Sequence, residues 1–480
     1  MIPILVFFFI KTQHHHAFNF NIARTLVKIH SVKKLLRMNI YLSFLLILIT
    51  KTDANSLHYF MDEKELKFYF GSDKDVPEYE IVDLPENLES AYESVLNDDG
   101  SEDGSEDDGK YVNFQAFGHQ VELQLHPNKV LLSPYAKVVK KRGKNVTTMS
   151  SSRNFCHYLH VDSSSVAAIS NCESKEVHGL VFLQNDTLEI LPLTSRLKFA
   201  YNLKSYQSGT TKTGRIITKI PHLVKRSYFD VDDFRDFEND FIISSFRETK
   251  FSMKKQRGVN YDQPLVELGL FFDEAFYKFF AEFFQFDDEK LQNFILSYIN
   301  SMQSLYHHNS LGRKVDFVIV YLEVMEEQPT NMPHANGERN GLIDNFCFYQ
   351  KSLNVDDDRN PEHWDMAVYV SALDFFAWDA NGIKNGATMG LATVGGVCND
   401  DYNCIIAEFG SINQFGKPYP SSGFTSVYIL AHEIGHNLGM AHDSVGNACT
   451  KDGFIMSPSR GTQGETSWSW CSASVVKKLE

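Results

Sequence analysis

Three histidines and a glutamate stand within the thirteen residues of "AHEIGHNLGMAHD", Ala431 to Asp443. His432 and His436 are four residues apart, so on a helix both imidazoles lie on one face, one turn apart, and can share one small cation. Glu433 lies beside the first histidine, where it can hold a metal-bound water and accept its proton. The spacing therefore predicts a metal site that carries its own general base.

Gly439 determines whether a third histidine can join this site. If the helix continued, His442 would lie six residues beyond His436, out of reach of the same ion. A glycine with positive φ ends the helix and reverses the chain, so that His442 returns as the third ligand. Three histidines and a water form an open tetrahedral zinc site of the catalytic type, with metal–nitrogen distances of ~2.0–2.1 Å. The alternative is a solvated helix with satisfied histidines, but in HExxHxxGxxH each fixed position has its own physical reason.

The chemistry that this set predicts is hydrolysis of a peptide bond without a covalent intermediate. Zinc lowers the pKa of its bound water to ~7 and polarises the scissile carbonyl. Glu433 takes the proton of the water and delivers it to the leaving amine.

Length and composition indicate a folded protein of two or three domains. The chain has 480 residues, of which 43% are apolar and 22% charged, and its net charge of -15 argues against a broad nucleic-acid surface. Part of this charge lies in "NDDGSEDGSEDDGK", Asn97–Lys110, which lacks apolar residues and is predicted to be a disordered loop or linker. A calcium loop is the alternative, but the spacing does not match an EF-hand.

The N-terminal region predicts secretion. "MNIYLSFLLILITKTDANS" begins at Met38, and its apolar stretch Tyr41–Ile49 follows basic residues and precedes small polar ones, so residues 38–55 are interpreted as a signal peptide. A short membrane anchor is the alternative, but the stretch is too short to span a bilayer. Residues 1–37 are interpreted as an upstream extension. Their histidines, His14–His16, have no fixed geometry and are not predicted to bind metal.

The segment that follows, to about Ile220, has a strand-like pattern. In "QVELQLH" the apolar residues Val121, Leu123 and Leu125 alternate with polar ones, which is the period of a half-buried strand. "VHGLVFLQNDTLEILPL" predicts two strands joined by a turn. Asn145 and Asn185 begin glycosylation sequons, both in predicted surface turns.

Two basic clusters, ending at Arg226 and Arg257, flank a charged stretch with little periodicity. We interpret them as sites for a processing protease of the furin type, although basic pairs are also common in solvated linkers. A new domain begins directly after Arg257. The predicted boundaries are therefore 56–257 for an N-terminal domain and 258–480 for the second.

The second domain alternates strands with helices. "PLVELGLFF" (Pro264–Phe272) predicts a buried strand, "VDFVIVYLEVM" a central strand and "WDMAVYVSAL" another buried strand. Phe272, Phe276, Phe279 and Phe283 follow helical spacing and predict a core-facing helix. Charged residues interrupt this run, which excludes a transmembrane helix. The alternation predicts an α/β sandwich with a mostly parallel sheet.

The motif with Asp443 after its third histidine resembles the metzincins, and within them the reprolysin or adamalysin group: the ADAM and ADAMTS proteases and the snake-venom metalloproteases. "GFIMSPS" is similar to the Met-turn of that group, which would place Met456 beneath the zinc. "TMGLATVGGVCNDDYNC" is similar to its edge strand, on which substrate adds as an extended antiparallel chain. By this resemblance the substrate-binding residues are Gly390, Leu391, Ala392 and Thr393. "WSWCSAS" resembles the last catalytic helix and favours ADAMTS-like members.

The resemblance covers most of Leu57–Glu480, because "FQAFGHQVELQLHPN" and "CHYLHVDSSSVAAISNCESKEVHGL" are similar to a reprolysin prodomain. It implies a metzincin catalytic domain with a twisted, mixed but mostly parallel five-stranded sheet and a long active-site helix, preceded by a mainly β prodomain. The implied protein is a secreted zymogen of a zinc endopeptidase that cleaves extracellular or matrix proteins. It has no transmembrane anchor and no nucleic-acid partner. The alternatives are a venom-type reprolysin without ancillary domains and a secreted binding protein on the same scaffold.

The seven cysteines are disulfide candidates in a secreted chain. Cys156 and Cys172 are expected to pair within the prodomain, and the family pattern implies two further pairs: Cys347–Cys404 and Cys449–Cys471. Cys398 is then left unpaired, because its family partner lies beyond the last helix. We therefore expect that the catalytic domain is truncated in this chain. A rival pairing of Cys398 with Cys404 would leave Cys347 alone instead.

Two further features of the family bear on this chain. Many relatives maintain latency with a free prodomain cysteine on the zinc, but no cysteine lies between Cys172 and Cys347, so inhibition by steric cover is expected here. Relatives also bind structural calcium, and Glu267 and Asp365 match positions of that site. The alternative for both is an ordinary carboxylate at a strand end.

Overall fold

The structure is a computed structural model. It describes residues 54–74, 76–86, 88, 109–149, 156–172, 176–184, 186–202, 209–210, 216–217, 219–226, 241–242, 263–386, 388–397, 399–409, 423–458 and 466–479. The predicted upstream extension, nearly all of the predicted signal peptide and most of the acidic stretch lie outside these ranges, as do Asn185, Arg257 and Cys398. Residues 57–480 belong to one compact unit.

The described strands, in chain order, are β1 (Tyr79–Pro85), β2 (Lys110–Ala116), β3 (His119–Pro127), β4 (Leu132–Arg142), β5 (Asn145–Thr148), β6 (His157–Val161), β7 (Ser165–Ser170), β8 (His178–Leu183), β9 (Asp186–Pro192), β10 (Gly209–Thr210), β11 (Ile216–Ile217), β12 (Lys219–Arg226), β13 (Phe241–Ile242), β14 (Leu265–Phe272), β15 (Asp316–Glu327), β16 (Met366–Ser371), β17 (Ala377–Trp378), β18 (Lys384–Asn385), β19 (Gly390–Thr393) and β20 (Cys404–Glu408).

The described helices are α1 (Glu63–Phe70), α2 (Ser195–Asn202), α3 (Glu274–Phe280), α4 (Asp288–Tyr306), α5 (Arg339–Lys351), α6 (Val427–Asn437) and α7 (Trp470–Val476). Short 3-10 turns occupy Ala54–Phe60, Asn309–Leu311, Ala335–Gly337 and Gly423–Ser426. Within the described ranges no helix combines the length and the apolar character needed to cross a membrane.

The N-terminal sheet has eight strands in the order β1-β12-β9-β8-β7-β6-β3-β2, and its neighbouring strands are antiparallel. In β3 the apolar Val121, Leu123 and Leu125 are buried and the polar residues between them are exposed, as the alternation predicted. The two-residue strands β10 and β11 form a separate pair.

The second large sheet has eight strands in the order β13-β19-β20-β16-β14-β15-β4-β5. The mixed α/β architecture is thus confirmed, whereas the sheet is wider than the five strands expected. Five of its strands follow residue 258, and three (β4, β5 and β13) come from earlier in the chain. Only the β19–β20 and β4–β5 pairings are antiparallel; the others are parallel.

The phenylalanine-rich helix is shorter than its spacing predicted. Helix α3 begins at an Asp273 N-cap, whose carboxylate accepts a hydrogen bond from Phe276 N–H at 2.7 Å, and ends at Phe280. Positive φ angles of 56° at Gln285 and 59° at Phe286 then turn the chain. Between the helix end and this turn, Phe283 stacks on Phe68 from α1, with ring centroids 3.5 Å apart.

One apolar core crosses from the N-terminal to the C-terminal part of the molecule. Helix α4 lies at its centre, with Tyr298, Ile299 and Met302 fully buried. The same cluster includes Leu180 and Phe182 from β8. Because burial of apolar area is the main stabilising term in folding, the two parts stabilise each other.

Candidate active site

Helix α6 presents His432, Glu433 and His436, and the whole helix is buried. It ends at Asn437 with Leu438 as its C-cap, after which Gly439 has a φ of 101°. The Gly439 N–H donates to the His436 carbonyl at 2.8 Å, and the next N–H donates back to the carbonyl of Gly435 at 2.9 Å. This glycine-dependent reversal ends the helix.

The reversal brings His442 back to the helix. Its Nε2 lies 3.0 Å from Nε2 of His432 and 3.2 Å from Nε2 of His436. Ligands of a tetrahedral zinc ion with bonds of ~2.0–2.1 Å stand about 3.3 Å apart. All three imidazoles are buried, and three neutral imidazole nitrogens are a donor set that zinc prefers. The residues present therefore fit a single zinc ion.

Backbone carbonyls orient two of the three imidazoles. Nδ1 of His432 donates to the carbonyl of Ile455 at 2.6 Å, and Nδ1 of His436 donates to the carbonyl of Met440 at 2.8 Å. Because a carbonyl can only accept, the proton of each ring is on Nδ1 and the Nε2 lone pair faces the centre of the site.

Met456, the predicted Met-turn residue, packs against the helix. Its side chain is fully buried, and its carbonyl accepts a hydrogen bond from Asp443 N–H at 2.9 Å. A Cβ added at Gly435 would lie 2.6 Å from the Met456 sulfur. The helix can therefore approach the methionine only because residue 435, between the two helical histidines, is glycine. The sequence reasoning missed this glycine.

The predicted substrate strand β19 lies directly against the predicted general base. Gly390 pairs with Ala407 of β20, and a Cβ at Gly390 would collide with the carboxylate of Glu433. The Glu433 side chain is buried. The absence of a side chain at 390 thus leaves the space in which this carboxylate lies.

Replacing Gly390 with alanine should therefore displace the Glu433 carboxylate. Overpacking of this kind costs about 1–3 kcal/mol, so kcat should fall by about 10–100-fold with little change in metal content. Steady-state kinetics and metal analysis of the purified variant measure both quantities. Ala377→Gly, a change of opposite sense in β17 outside the site, is the control. An unchanged kcat in Gly390→Ala would contradict this reading of the contact.

Two polar residues also hold the site together: Asn437, which the sequence reasoning did not single out, and Asp443, which it noted only as part of the motif. Asn437 Nδ2 donates to the carbonyls of Thr393 at 3.2 Å and Tyr402 at 2.9 Å, which ties α6 to the substrate strand. Asp443 accepts a 2.6 Å hydrogen bond from Ser469, the N-cap of α7. The position of Asn437, directly after a ligand histidine, was the available signal.

The outer edge of the substrate strand is occupied by the chain itself. Strand β13 pairs with β19 in parallel, with Phe241 opposite Ala392 and Ile242 opposite Thr393. It lies between the two predicted processing sites in the sequence. An added strand cannot use an edge that is already paired.

The predicted calcium residues are adjacent. Glu267 N–H donates to the Asp365 carboxylate at 2.9 Å, and Asp365 N–H donates to the Glu267 carbonyl at 3.0 Å. Burial, and then the charge of Asp365, raise the pKa of Glu267 to about 7. Asp358, His363 and Asp365 offer ligand atoms within 4.8 Å of one another.

Three disulfides join Cys156 to Cys172, Cys347 to Cys404 and Cys449 to Cys471. Of the two predicted glycosylation sites, Asn145 begins the exposed strand β5, whereas Asn185 lies outside the described residues; Thr187 of its sequon is buried in β9. Arg226 is the last residue of β12, and its guanidinium lies 2.6 Å from the Asp186 carboxylate.

The fold and the three-histidine site together define a helix with a candidate metal site that packs against a mixed sheet. Residues 265–469 match the family model described as metallo-peptidase family M12, and residues 84–159 match the reprolysin family propeptide. Both matched regions are thus similar to the reprolysin metallopeptidases of family M12. The resemblance identified in the sequence is confirmed.

Curated relatives point to one group within this family. The chain is 27% identical over 460 residues to the Caenorhabditis elegans protein "A disintegrin and metalloproteinase with thrombospondin motifs adt-1", covering 90% of this chain and 29% of that protein. It is 26% identical over 425 residues to the human protein "A disintegrin and metalloproteinase with thrombospondin motifs 18", covering 77% and 32%. The chain thus spans about a third of the length of these relatives.

Proposed function

We propose that this chain is the propeptide and catalytic region of a secreted, zinc-dependent endopeptidase that is made as a zymogen and cleaves extracellular proteins. The observation that carries the proposal is the convergence of three imidazole Nε2 atoms beside the Glu433 carboxylate and against strand β19. The similarity to proteins named for a metalloproteinase and thrombospondin motifs favours an ADAMTS-like enzyme over a venom-type one.

A zinc ion bound by His432, His436 and His442 would supply a Lewis acid and a water with a pKa near ~7. Residues of the chain itself bind the substrate and move the proton. Strand β19 orients the substrate main chain through hydrogen bonds. The Glu433 carboxylate accepts the proton of the attacking water and passes it to the leaving amine nitrogen. The buried surroundings of this carboxylate exclude bulk water and strengthen its electrostatic interactions.

The metal requirement provides the direct test of this function. The processed chain should contain one zinc per molecule and cleave a general protein substrate. A chelator should abolish the cleavage and added zinc should restore it, because the site has three protein ligands and an open position. Cleavage that is insensitive to chelation would contradict the proposal. Elemental analysis and a casein-type assay provide the two readouts.

Latency is proposed to arise by steric cover of the substrate strand. Strand β13 pairs with the β19 edge that substrate would need, and the metal-binding cluster formed by the described residues at this site contains only histidines. The Arg226 guanidinium forms an ion pair with the Asp186 carboxylate at the end of a strand. A processing protease would therefore reach Arg226 less easily than it would reach a residue in a linker. We therefore assign activation to Arg257, by a furin-type protease, because cleavage there separates β13 from the catalytic domain.

Calcium is proposed to bind at Glu267 and Asp365, since two adjacent carboxylates at strand ends suit a hard cation. Added calcium should raise the melting temperature of the chain, because a ligand that binds only the folded form stabilises it. This rise in melting temperature should disappear in Glu267→Gln. It should persist in Glu362→Gln, because Glu362 is an exposed acid outside the proposed calcium site. Equal shifts in both variants, measured by differential scanning fluorimetry, would argue against this site.

A further inference from the structure

The edge of the catalytic sheet farthest from the substrate strand is covered by the propeptide. Strand β4, which lies within the part matched by the propeptide family model, pairs in parallel with β15 over seven residue pairs, from Ile319 opposite Leu132 to Glu327 opposite Arg142. By contrast, β13 pairs with the substrate strand at only two positions. The propeptide thus contacts both edges of the catalytic sheet, and the contact at the far edge is much the longer.

The two faces of β4 pack into two different layers of the catalytic domain. Val138 is buried in the core that contains α4 and the zinc-binding helix, and Val139 is buried in the core under α5. Side chains of a strand alternate between the two faces of a sheet, so a strand buried on both faces is an interior strand. Strand β4 therefore completes both layers and gives β15 its second neighbour.

A buried carboxylate of the catalytic domain is paired with a propeptide lysine. Glu323 of β15 is fully buried, and its carboxylate lies 3.0 Å from Nζ of Lys141. It also accepts hydrogen bonds from the hydroxyls of Tyr321 and Tyr349, each at 2.7 Å. Removal of one partner of a buried ion pair leaves a buried charge that is strongly unfavourable. The catalytic domain therefore favours the bound state of β4.

Further charges match along the same strand. Nζ of Lys140 lies 2.7 Å from the Asp288 carboxylate and 3.5 Å from that of Glu326. Arg142 lies 3.3 Å from Glu327. A basic strand is thus matched to an acidic edge, and this complementarity fixes the register and disfavours other partners.

A second contact does not depend on these ion pairs. Asn128 Nδ2 donates to Oδ1 of Asn300 on α4 at 2.9 Å, and Nδ2 of Asn300 donates to the Tyr158 carbonyl at 3.0 Å. Both asparagines are buried. The propeptide is therefore held against the back of the catalytic domain by a polar network as well as by β4.

We propose that the β15 edge and the adjoining surface of α4 form a binding site for the cleaved propeptide, which stays as a non-covalent partner of the catalytic domain after the linker is cut. This proposal rests on the proposed function in one respect only, namely that the chain is cleaved at Arg257. The contacts made by β4 do not need a continuous linker, whereas β13 has two pairs and is cut from the catalytic domain. Release of β13 from the substrate strand β19 and dissociation of the propeptide are therefore separate events.

The test uses the full chain with Glu433→Ala, which prevents self-digestion and makes the result independent of zinc chemistry. A recognition sequence for a specific protease replaces the basic cluster ending at Arg257, and the cut chain is analysed by size exclusion and native mass spectrometry at about 0.15 M salt. The two fragments should migrate together. Their separation immediately after cleavage would overturn the proposal, whatever the active site does.

The charge pattern provides matched variants. In the cut chain, Lys140→Glu with Lys141→Glu should speed dissociation at least tenfold. Lys137→Glu should have little effect, because Lys137 is half exposed and lies 4.0 Å from an exposed Glu362. If the double variant and Lys137→Glu dissociate at the same rate, the ion pairs of Lys140 and Lys141 do not hold the propeptide in place. If the double variant does not fold, hydrogen exchange of β15 amides in the cut chain decides: protection supports a bound β4, and rapid exchange contradicts it.

Discussion

Replacing Glu433 with alanine is expected to lower kcat/KM of the processed chain by about 10²–10⁴-fold, the usual contribution of a positioned general base. The three ligand imidazoles are oriented by backbone carbonyls and by the Gly439 turn, none of which involves this carboxylate. The zinc content should therefore stay at one per molecule. Kinetics on a general protein substrate and elemental analysis of the same sample measure the two quantities together.

Two conservative variants separate the charge of this residue from its shape. Glu433→Gln keeps the size but cannot accept the proton, so its activity should resemble that of the alanine variant. Glu433→Asp keeps the charge but retracts it by one methylene from the space beside Gly390, so partial activity is expected. Full activity in the alanine or glutamine variant would show that another group acts as the base. It would leave open a binding role for the same scaffold.

The sequence could predict those parts of the site that depend on local spacing. The four-residue spacing of two histidines and the glycine that ends their helix both depend on residues that are close in the sequence. The structure has the histidines on α6 and a positive φ at Gly439. The positions of Gly435 and Gly390 follow from contacts with Met456 and Glu433 instead. Those contacts join residues that only the folded chain brings together, so one sequence could not reveal them.

The width of the catalytic sheet could not be predicted for a similar reason. The near-continuous apolar run of β15 indicated a central strand, and the structure places it between β14 and β4. Without β4 it would lie at an edge. The apolar pattern of β15 thus already reflected burial on both sides, but nothing in the sequence identified the partner strand, because β4 precedes β15 by more than 170 residues and belongs to the propeptide.

The different lengths of the two propeptide contacts suit a zymogen. In the proposed latency mechanism, the short strand β13 blocks an extended substrate while it is tethered, and it would be lost easily after cleavage because two residue pairs provide few hydrogen bonds. A long strand at the opposite edge satisfies backbone groups that would otherwise be exposed at a sheet edge during folding. The inhibitory and the folding-related contacts can thus change independently of each other.

The N-terminal sheet also contains buried histidines that make its stability depend on pH. His222 is fully buried in β12; its Nδ1 donates to the Ile220 carbonyl at 2.8 Å and its Nε2 accepts from Val177 N–H at 2.9 Å. Burial lowers the pKa of His222 to about 4, because a second proton would lie in an apolar interior and point at another N–H. Burial likewise lowers the pKa of His157 to about 4.

A histidine whose pKa is lowered by folding stabilises the folded form above its unfolded pKa of about 6.5, and this stability is lost as the pH falls from there towards 4. At pH 5 each of His157 and His222 should therefore reduce the free energy of unfolding by about 2 kcal/mol relative to pH 7. Urea unfolding of the intact chain and of two variants at the two pH values measures the contribution of His222. His222→Gln should reduce the loss of stability between pH 7 and pH 5 by about 2 kcal/mol, whereas His126→Gln, at an exposed position of β3, should leave it unchanged. If the two variants show the same dependence on pH, protonation of the buried His222 is not a source of that dependence.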